Sequence, residues 1–431
     1  MIEGDSAPRR ALKVTIPLLG FIAAALLTSS LSTYVLYLGY FHARIGASIP
    51  WLALWGNVIY FAGMPLGKVV GRALKFYRHL PSAVVGMSAL IAASLVLMPY
   101  VTSSAELLSL RLIQGMVTFY MEVFSNAHSY LYDNLGHRTL ASAVSIAGIP
   151  GGVAIGTSAY LAAPPSATYA VLAAISLLGA VAYAAALSRI RVTLAPLSRE
   201  SGGSTFHMGR TWLMGSLWGT VTGDLALAVA LPPLVSSYAP PDVPLAMAAF
   251  GISGVLMTVV AGVVAYFVRS PRTMTRIISA GYALSVASFL YILIFRPVGA
   301  YLALSILGTD MMNLAIPFIY SVPRHVYREG FVGKGTWEFS MVGSFYHIWF
   351  TALVLVLTYA IGFAAGVLSF AALMLYGAVA TLVLPRFFLR GSAGEPRTGN
   401  LSPAPVASRP ARPPRERPIS APTPADRSSS P

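Results

Sequence analysis

The 431-residue sequence contains no cysteine, and only 10% of its residues are charged. Without cysteine there is no disulfide, no thiolate metal site, no iron–sulfur cluster and no cysteine nucleophile, so the redox compartment is unconstrained. Soluble domains carry about a quarter charged residues, so a chain this poor in charge cannot hide its apolar surface in water. Acids are scarcest, at 14 Asp and Glu against 29 Lys and Arg. They are single and dispersed, whereas a lipid-acting membrane enzyme needs clustered acids for a divalent ion or a Ser/His/Asp or His-rich constellation. No Gly-x-x-x-x-Gly-Lys-[Ser/Thr] loop occurs and no soluble ATPase domain fits, leaving ion gradients as the energy source. The sequence calls for no cofactor.

What is present is apolar: 56% of residues are hydrophobic and mean hydropathy is +0.71. A bilayer core of about 30 Å takes roughly 20 apolar residues per helix. Breaking the apolar runs at charged, Pro and Gly clusters predicts twelve spans, near 14–39, 50–70, 81–102, 105–126, 139–163, 167–187, 211–236, 243–268, 274–295, 298–320, 337–362 and 365–388. The last two touch across Ile361–Gly366, with one interrupted span as the alternative reading. Arg9, Arg10 and Lys13 ahead of the run from Val14 to Gly39 have the polarity of a signal peptide. That run exceeds a 7–15-residue signal core, which predicts an uncleaved first span.

Basic residues give the orientation. With the N-terminus inside, 26 of the 29 fall in inside segments, among them Lys68, Arg72, Arg138, Arg210 and Arg324. Only Arg44 and Arg296 fall outside, and Arg111 lies within a span. Cytoplasmic loops accumulate Lys and Arg, so both termini are expected in the cytoplasm of a multi-pass plasma-membrane protein. The net charge of +15 thus reports topology, not a nucleic-acid-binding face.

The expected organisation is an all-α membrane protein of two six-helix halves around a central cavity. A cytoplasmic N-terminus (1–13) precedes the first half (14–187), a Ser/Gly-bearing cytoplasmic linker (188–210), the second half (211–388) and a tail (389–431). The tail, built of Pro, Ser, Ala and Arg, has too little apolar surface to fold and is expected to be disordered, its arginines drawn weakly to anionic lipid.

Charge at membrane depth is costly and marks pathways. Span 4 carries Arg111 and Glu122, span 7 Asp224, span 10 Asp310 with Asn313, and span 11 His347; span 1 adds Thr28, Ser29, Ser30, Ser32 and Thr33, and span 2 adds Asn57. One polar helix in three is the pattern a central aqueous cavity produces. Arg111, Gln114, Thr118, Glu122, Ser125 and Ser129 recur every three or four residues and form one stripe. Arg111 and Glu122 are roughly 16 Å apart at 1.5 Å per residue, too far to pair. Asp224 and Asp310 are the candidate partners of Arg111, with neutral, hydrogen-bonded carboxyls as the structural alternative.

Together the spans, the 6+6 division and Arg111-Leu112-Ile113-Gln114-Gly115 resemble the major facilitator superfamily, whose helix 4 carries an Arg-x-x-Gln-Gly signature. The resemblance implies that Arg111 projects into a central cavity and handles protons or substrate. Gly148-Ile149-Pro150-Gly151-Gly152, followed by Gly156, is similar to the Gly/Pro-rich helix 5 signature of exporters, with non-standard spacing. Between spans 2 and 3, Gly67, Arg72 and Lys75 fit the family's loop motif, while Gly71 replaces its acid and Leu74 its second glycine. The expectation is a monomeric secondary transporter in membrane lipid, exporting a small organic solute by proton-coupled alternating access. Proton- or sodium-coupled uptake of a sugar, carboxylate or amino-acid-like solute is the alternative, ahead of a receptor-like protein or lipid enzyme.

Overall fold

The computed structural model describes residues 7–74, 80–116, 135–189, 208–221, 223–268, 270–327 and 332–388, and all regular structure among them is helical. The N-terminal half comprises α1 (Ala7–Leu36), α2 (Leu38–Ile45), α3 (Ile49–Ala73), α4 (Leu80–Leu97), α5 (104–116), α6 (Leu135–Ile146), α7 (Gly148–Ala162) and α8 (Pro165–Arg189). The C-terminal half comprises α9 (Met208–Val221), α10 (Gly223–Ser236), α11 (Val243–Phe267), α12 (Pro271–Phe295), α13 (Gly299–Thr309), α14 (Ile316–Ser321), α15 (Pro323–Val326), α16 (Val332–Ala360) and α17 (Phe363–Val383).

Apolar and polar residues are distributed for a lipid solvent. Leu178, Phe267 and Ile294 are 70%, 74% and 69% exposed, whereas Thr28, Ser30, Asn57, Arg111 and Gln114 are buried. Water would impose the opposite arrangement; a bilayer, which cannot satisfy polar groups, imposes this one. Among the described residues nine helices are long and apolar enough to cross a membrane, from Ile49–Gly71 to Phe363–Phe387, and each coincides with a predicted span. A tenth candidate is the pair Met208–Thr220 and Leu225–Ser236, bent by 41°. The 30-residue α1 is also of spanning length.

Several boundaries differ from expectation. The first helix begins at Ala7, well before the predicted 14, and ends at Leu36. Spans 11 and 12 are two helices: Gly362, at φ +117, takes a conformation that side chains oppose and separates α16 from α17. Span 5 is interrupted at Ala147, between α6 and α7. Span 10 is interrupted at membrane depth by a 3-10 segment, Asp310–Ala315, between α13 and α14. The Ser285 hydroxyl of α12 donates to Thr309 O at 2.8 Å beside that break. Gly281 lets the Met311 carbonyl approach, since a Cβ there would stand 2.8 Å from it.

Contacts define two ends of the bundle. At one, the Arg210 guanidinium lies 4.6 Å over the Tyr327 ring and His325 packs 6.3 Å from Phe388. At the other, Arg44 Nε donates to Val101 O at 3.0 Å and Asp242 accepts from Gly299 N at 2.8 Å. The first is called the basic end below and the second the far end.

Candidate functional site

Arg111 on α5 is fully buried among α1, α3 and its own helix. Its Nε donates to Gly56 O (3.1 Å), Nη1 to Gln114 Oε1 (2.9 Å) and Ser30 O (3.4 Å), and Nη2 to Asn57 Oδ1 (3.1 Å). The Tyr34 and Tyr60 rings lie 4.1 and 4.4 Å from the guanidinium carbon. Hydrogen bonds to a charged group contribute about 1.5–3 kcal/mol each, and desolvated cation–π contacts about 2 kcal/mol, which offsets the cost of burying the charge. Asn57 is itself oriented by donating to Ala53 O at 2.7 Å. Glycines bring the helices close enough for this: a Cβ at Gly56 would collide with the Tyr34 hydroxyl, one at Gly115 with the Tyr60 carbonyl, and one at Gly67 with the Met116 carbonyl.

The expected pairing of Arg111 with Asp310 does not occur. Every partner of Arg111 among the described residues is neutral and belongs to the N-terminal half, whereas the Asp310 carboxylate accepts from the Ser253 hydroxyl of α11. The two lie on different halves, and the printed bonds of each go to its own half. Asp310 and Asn313 are both fully buried on the 3-10 segment, and neither carboxamide atom of Asn313 has a hydrogen-bond partner among the described residues. The Asn313 amide nitrogen would stand 3.2 Å from a Cβ at Gly254.

Span 1 departs from the expected cavity-lining role. Three of its five hydroxyls face α7: Thr28 donates to Ile149 O at 2.9 Å, and Ser32 and Thr33 lie against Gly156. Gly148, Gly152 and Gly156 form the opposing face, where added Cβ atoms would strike Phe21 O, Thr28 Oγ1 and Ser32 Oγ. Small residues four apart let helices meet backbone to backbone in lipid. Pro150 and Ala154 point the other way, against Gly254 and Gly251 of α11. Thus α7 sits between its own half and the other, and Gly151 touches both through Phe21 and Val255.

The seam between halves continues through a residue that the charge tally assigns to a loop. Lys68 lies inside α3, fully buried, and its Nζ donates to Ser340 O at 2.8 Å and Ser344 Oγ at 2.7 Å on α16. It also lies 4.4 Å over the Trp218 ring of α9. One helical turn deeper, His347 stacks on Phe61 at 5.5 Å and meets Trp218 edge-on at 5.3 Å. Toward the basic end Thr139 donates to Ser321 at 2.9 Å. Burial, followed by the Arg138 charge, holds the His325 imidazole below its usual pKa.

Glu122, with Thr118, Ser125 and Ser129, lies outside the described residues, as do most of the linker and the tail. For Asp224 and Arg72 the backbone is described, in α10 and α3, but not the side chain.

No protein-family model matches the sequence, and a search of curated proteins finds no match. Solved structures do match. The human organic anion transporter MFSD10 (TETRAN) aligns with a TM-score of 0.61 at 16% identity, covering 88% of this chain and 100% of its own. The major facilitator superfamily proton:xylose symporter XylE, bound to 6-bromo-6-deoxy-D-glucose, aligns with a TM-score of 0.67 at 12% identity, covering 88% of this chain and 96% of its own. The chain therefore has the fold of the major facilitator superfamily.

Proposed function

We propose that the protein is a secondary active transporter that moves a small organic solute by alternating access, exporting it in exchange for protons. The observation that carries this reading is Arg111: a guanidinium buried in a membrane domain, held by neutral groups alone among the described residues. Ionisable groups in such a setting mark substrate or ion pathways. The seam supports the same reading, because its described contacts, glycines packed across it and polar bonds from Lys68 and Thr139, are of a kind that can separate and re-form. Two six-helix halves rocking about a site between them then expose it to one side at a time.

The two fold neighbours carry an organic anion and a sugar, so a small organic solute is the class favoured here. The 26-to-2 division of basic residues supports cytoplasmic termini in a plasma-membrane protein, with the basic end facing the cytoplasm. The domains act as one monomeric unit: residues 14–187 and 211–388 form the halves, 188–210 the linker, and 389–431 a tail outside the cycle. Uptake is the second reading, supported by the symporter among the neighbours.

A screen of organic anions and sugars in proteoliposomes under an imposed pH gradient tests this proposal. The expected result is gradient-dependent movement of at least one compound, lost in Arg111→Lys. Absence of gradient-driven movement and of substrate exchange across both compound classes would contradict it.

A further inference from the structure

We infer that Arg272, Arg276 and Arg386 form a headgroup site for an anionic phospholipid of the leaflet at the basic end, on the outer surface of the C-terminal half where α12 packs against α17. The inference stands on the membrane placement of the chain and not on the transporter reading.

These three arginines differ from the other cations described toward the basic end. Lys68 is held by Ser340 and Ser344, Arg210 lies over the Tyr327 ring, and Arg138 is buried and engaged by protein. Arg272, Arg276 and Arg386 are exposed, and none of their guanidiniums makes a hydrogen bond, ion pair or ring contact among the described residues. Neither α12, α17 nor the 3-10 turn Leu384–Phe387 contains an acid to neutralise them. Cations left unpaired at a membrane surface attract anionic headgroups.

The register of the two helices sets all three at one depth. They pack antiparallel: Ser279 Oγ donates to Ala378 O at 3.0 Å, a Cβ on Gly377 would stand 2.9 Å from the Tyr282 ring, and Phe289 stacks on Phe370 at 5.4 Å. Continued by equal and opposite steps, that pairing brings Arg276 level with Leu382 and Arg272 level with Arg386, and Leu384–Phe387 does pack against α12. Arg272 and Arg276 stand one turn apart, about 6 Å at 1.5 Å per residue. A guanidinium fork grips phosphate oxygens in pairs.

Both groups also head a lipid-facing stripe. Beneath Arg276 the exposed residues of α12 run through Ala280, Leu284 and Ala287, and beneath Arg386 those of α17 run through Leu382, Val379 and Leu375, at three- or four-residue steps. An acyl chain descending from a phosphate at the arginines lies on this apolar surface, so headgroup and tail are recognised together. Charge selects the occupant: a zwitterionic lipid brings its own cation against the arginines, whereas a lipid of net negative charge does not.

Local lipid quenching in nanodiscs tests the site. Because the chain has no cysteine, one fluorophore can be placed a turn beneath the arginines, at Ala280→Cys, and in a second protein at Val181→Cys, an exposed position on α8 of the N-terminal half. Quenching by phosphatidylglycerol with brominated chains is compared with quenching by brominated phosphatidylcholine. The expected result is a stronger preference for phosphatidylglycerol at Ala280→Cys than at Val181→Cys. Arg272→Gln and Arg276→Gln each reduce it about fivefold, the increment one arginine contributes at an anionic surface, and Arg386→Gln reduces it as well. The preference at Val181→Cys is unchanged in the same variants. Equal preference at the two positions, or a preference at Ala280→Cys that survives all three arginine variants, overturns the inference. A preference abolished by inorganic phosphate at constant ionic strength belongs to a free anion and overturns it too. The substitutions are made singly at exposed positions, so loss of fold in one leaves the other two to decide.

Discussion

Lys68 and Ser344 meet across the seam: the ammonium of α3 donates to the hydroxyl of α16 at 2.7 Å, with Ser340 O at 2.8 Å and the Trp218 ring 4.4 Å beneath it. One side chain thereby ties the N-terminal half to two helices of the C-terminal half. Lys68→Met keeps the length and removes both bonds. Because the chain has no cysteine, a lone cysteine placed at buried Ser321 reports the seam without background. Its labelling by a permeant maleimide rises severalfold in Lys68→Met, and an unchanged rate refutes the latch.

The glycines of α7 and α11 separate packing within a half from packing between halves. At Gly152 a side chain would strike Thr28 Oγ1 and Ala25 O inside the N-terminal half, whereas at Gly251 it would meet Ala154 N at 2.5 Å across the seam. Overpacking costs about 1–3 kcal/mol. Gly152→Val lowers the unfolding midpoint by several degrees, while Gly251→Val impairs transport and opens the basic end to labelling. Gly86, with nothing within 4 Å, provides the control: Gly86→Ala changes neither.

Much of this was legible in the sequence for a physical reason. Spans follow from hydropathy, and the Arg111–Gln114 spacing places both on one helix face, where they do bond at 2.9 Å. Lys68 was not legible as a buried residue. It lies within the predicted run 50–70, but next to Gly67 and near Arg72 it counts as a loop cation, because sequence cannot show that α16 supplies Ser340 and Ser344 opposite it. The span 10 break also escaped: Gly308 and Pro317 flank Asp310–Ala315, but neither lies within it, and the break is accommodated from outside by Ser285 and Gly281 of α12. Conversely, the hydroxyls of span 1 suggested an aqueous lining, whereas those of Thr28, Ser32 and Thr33 serve the close approach of α7, a distinction that depends on Gly152 and Gly156, some 120 residues away.

Arg111→Lys tests geometry against charge. Lysine keeps the charge but cannot reach Gly56 O, Asn57 Oδ1 and Gln114 Oε1 at once, since it lacks the planar fork. Leaving a buried acceptor unsatisfied costs about 1–3 kcal/mol. Transport falls at least tenfold in Arg111→Lys at normal membrane abundance; wild-type rates would make the charge alone sufficient.

His325 gives the basic end a pH dependence of known sign. Its folded-state pKa is lowered, by burial first and by Arg138 second. Such a group contributes stability above its ordinary value of about 6.5, and the contribution is lost as pH falls below that. Between pH 7.5 and 5.5 the wild-type chain therefore loses stability relative to His325→Gln, read as the difference in unfolding midpoints. Parallel curves for the two proteins would remove His325 from the account.

Alternating access itself is most directly tested by two distances in one protein. Spin labels at Leu74 and Met208 report the basic end, and labels at Tyr100 and Ile361 the far end; all four residues are exposed, and each pair joins one half to the other. Double electron–electron resonance in nanodiscs, with pH and Na+ varied and in Lys68→Met, follows both pairs. The account predicts reciprocal change, one pair lengthening as the other shortens. Distances that stay fixed at both ends, or that lengthen together, would contradict it.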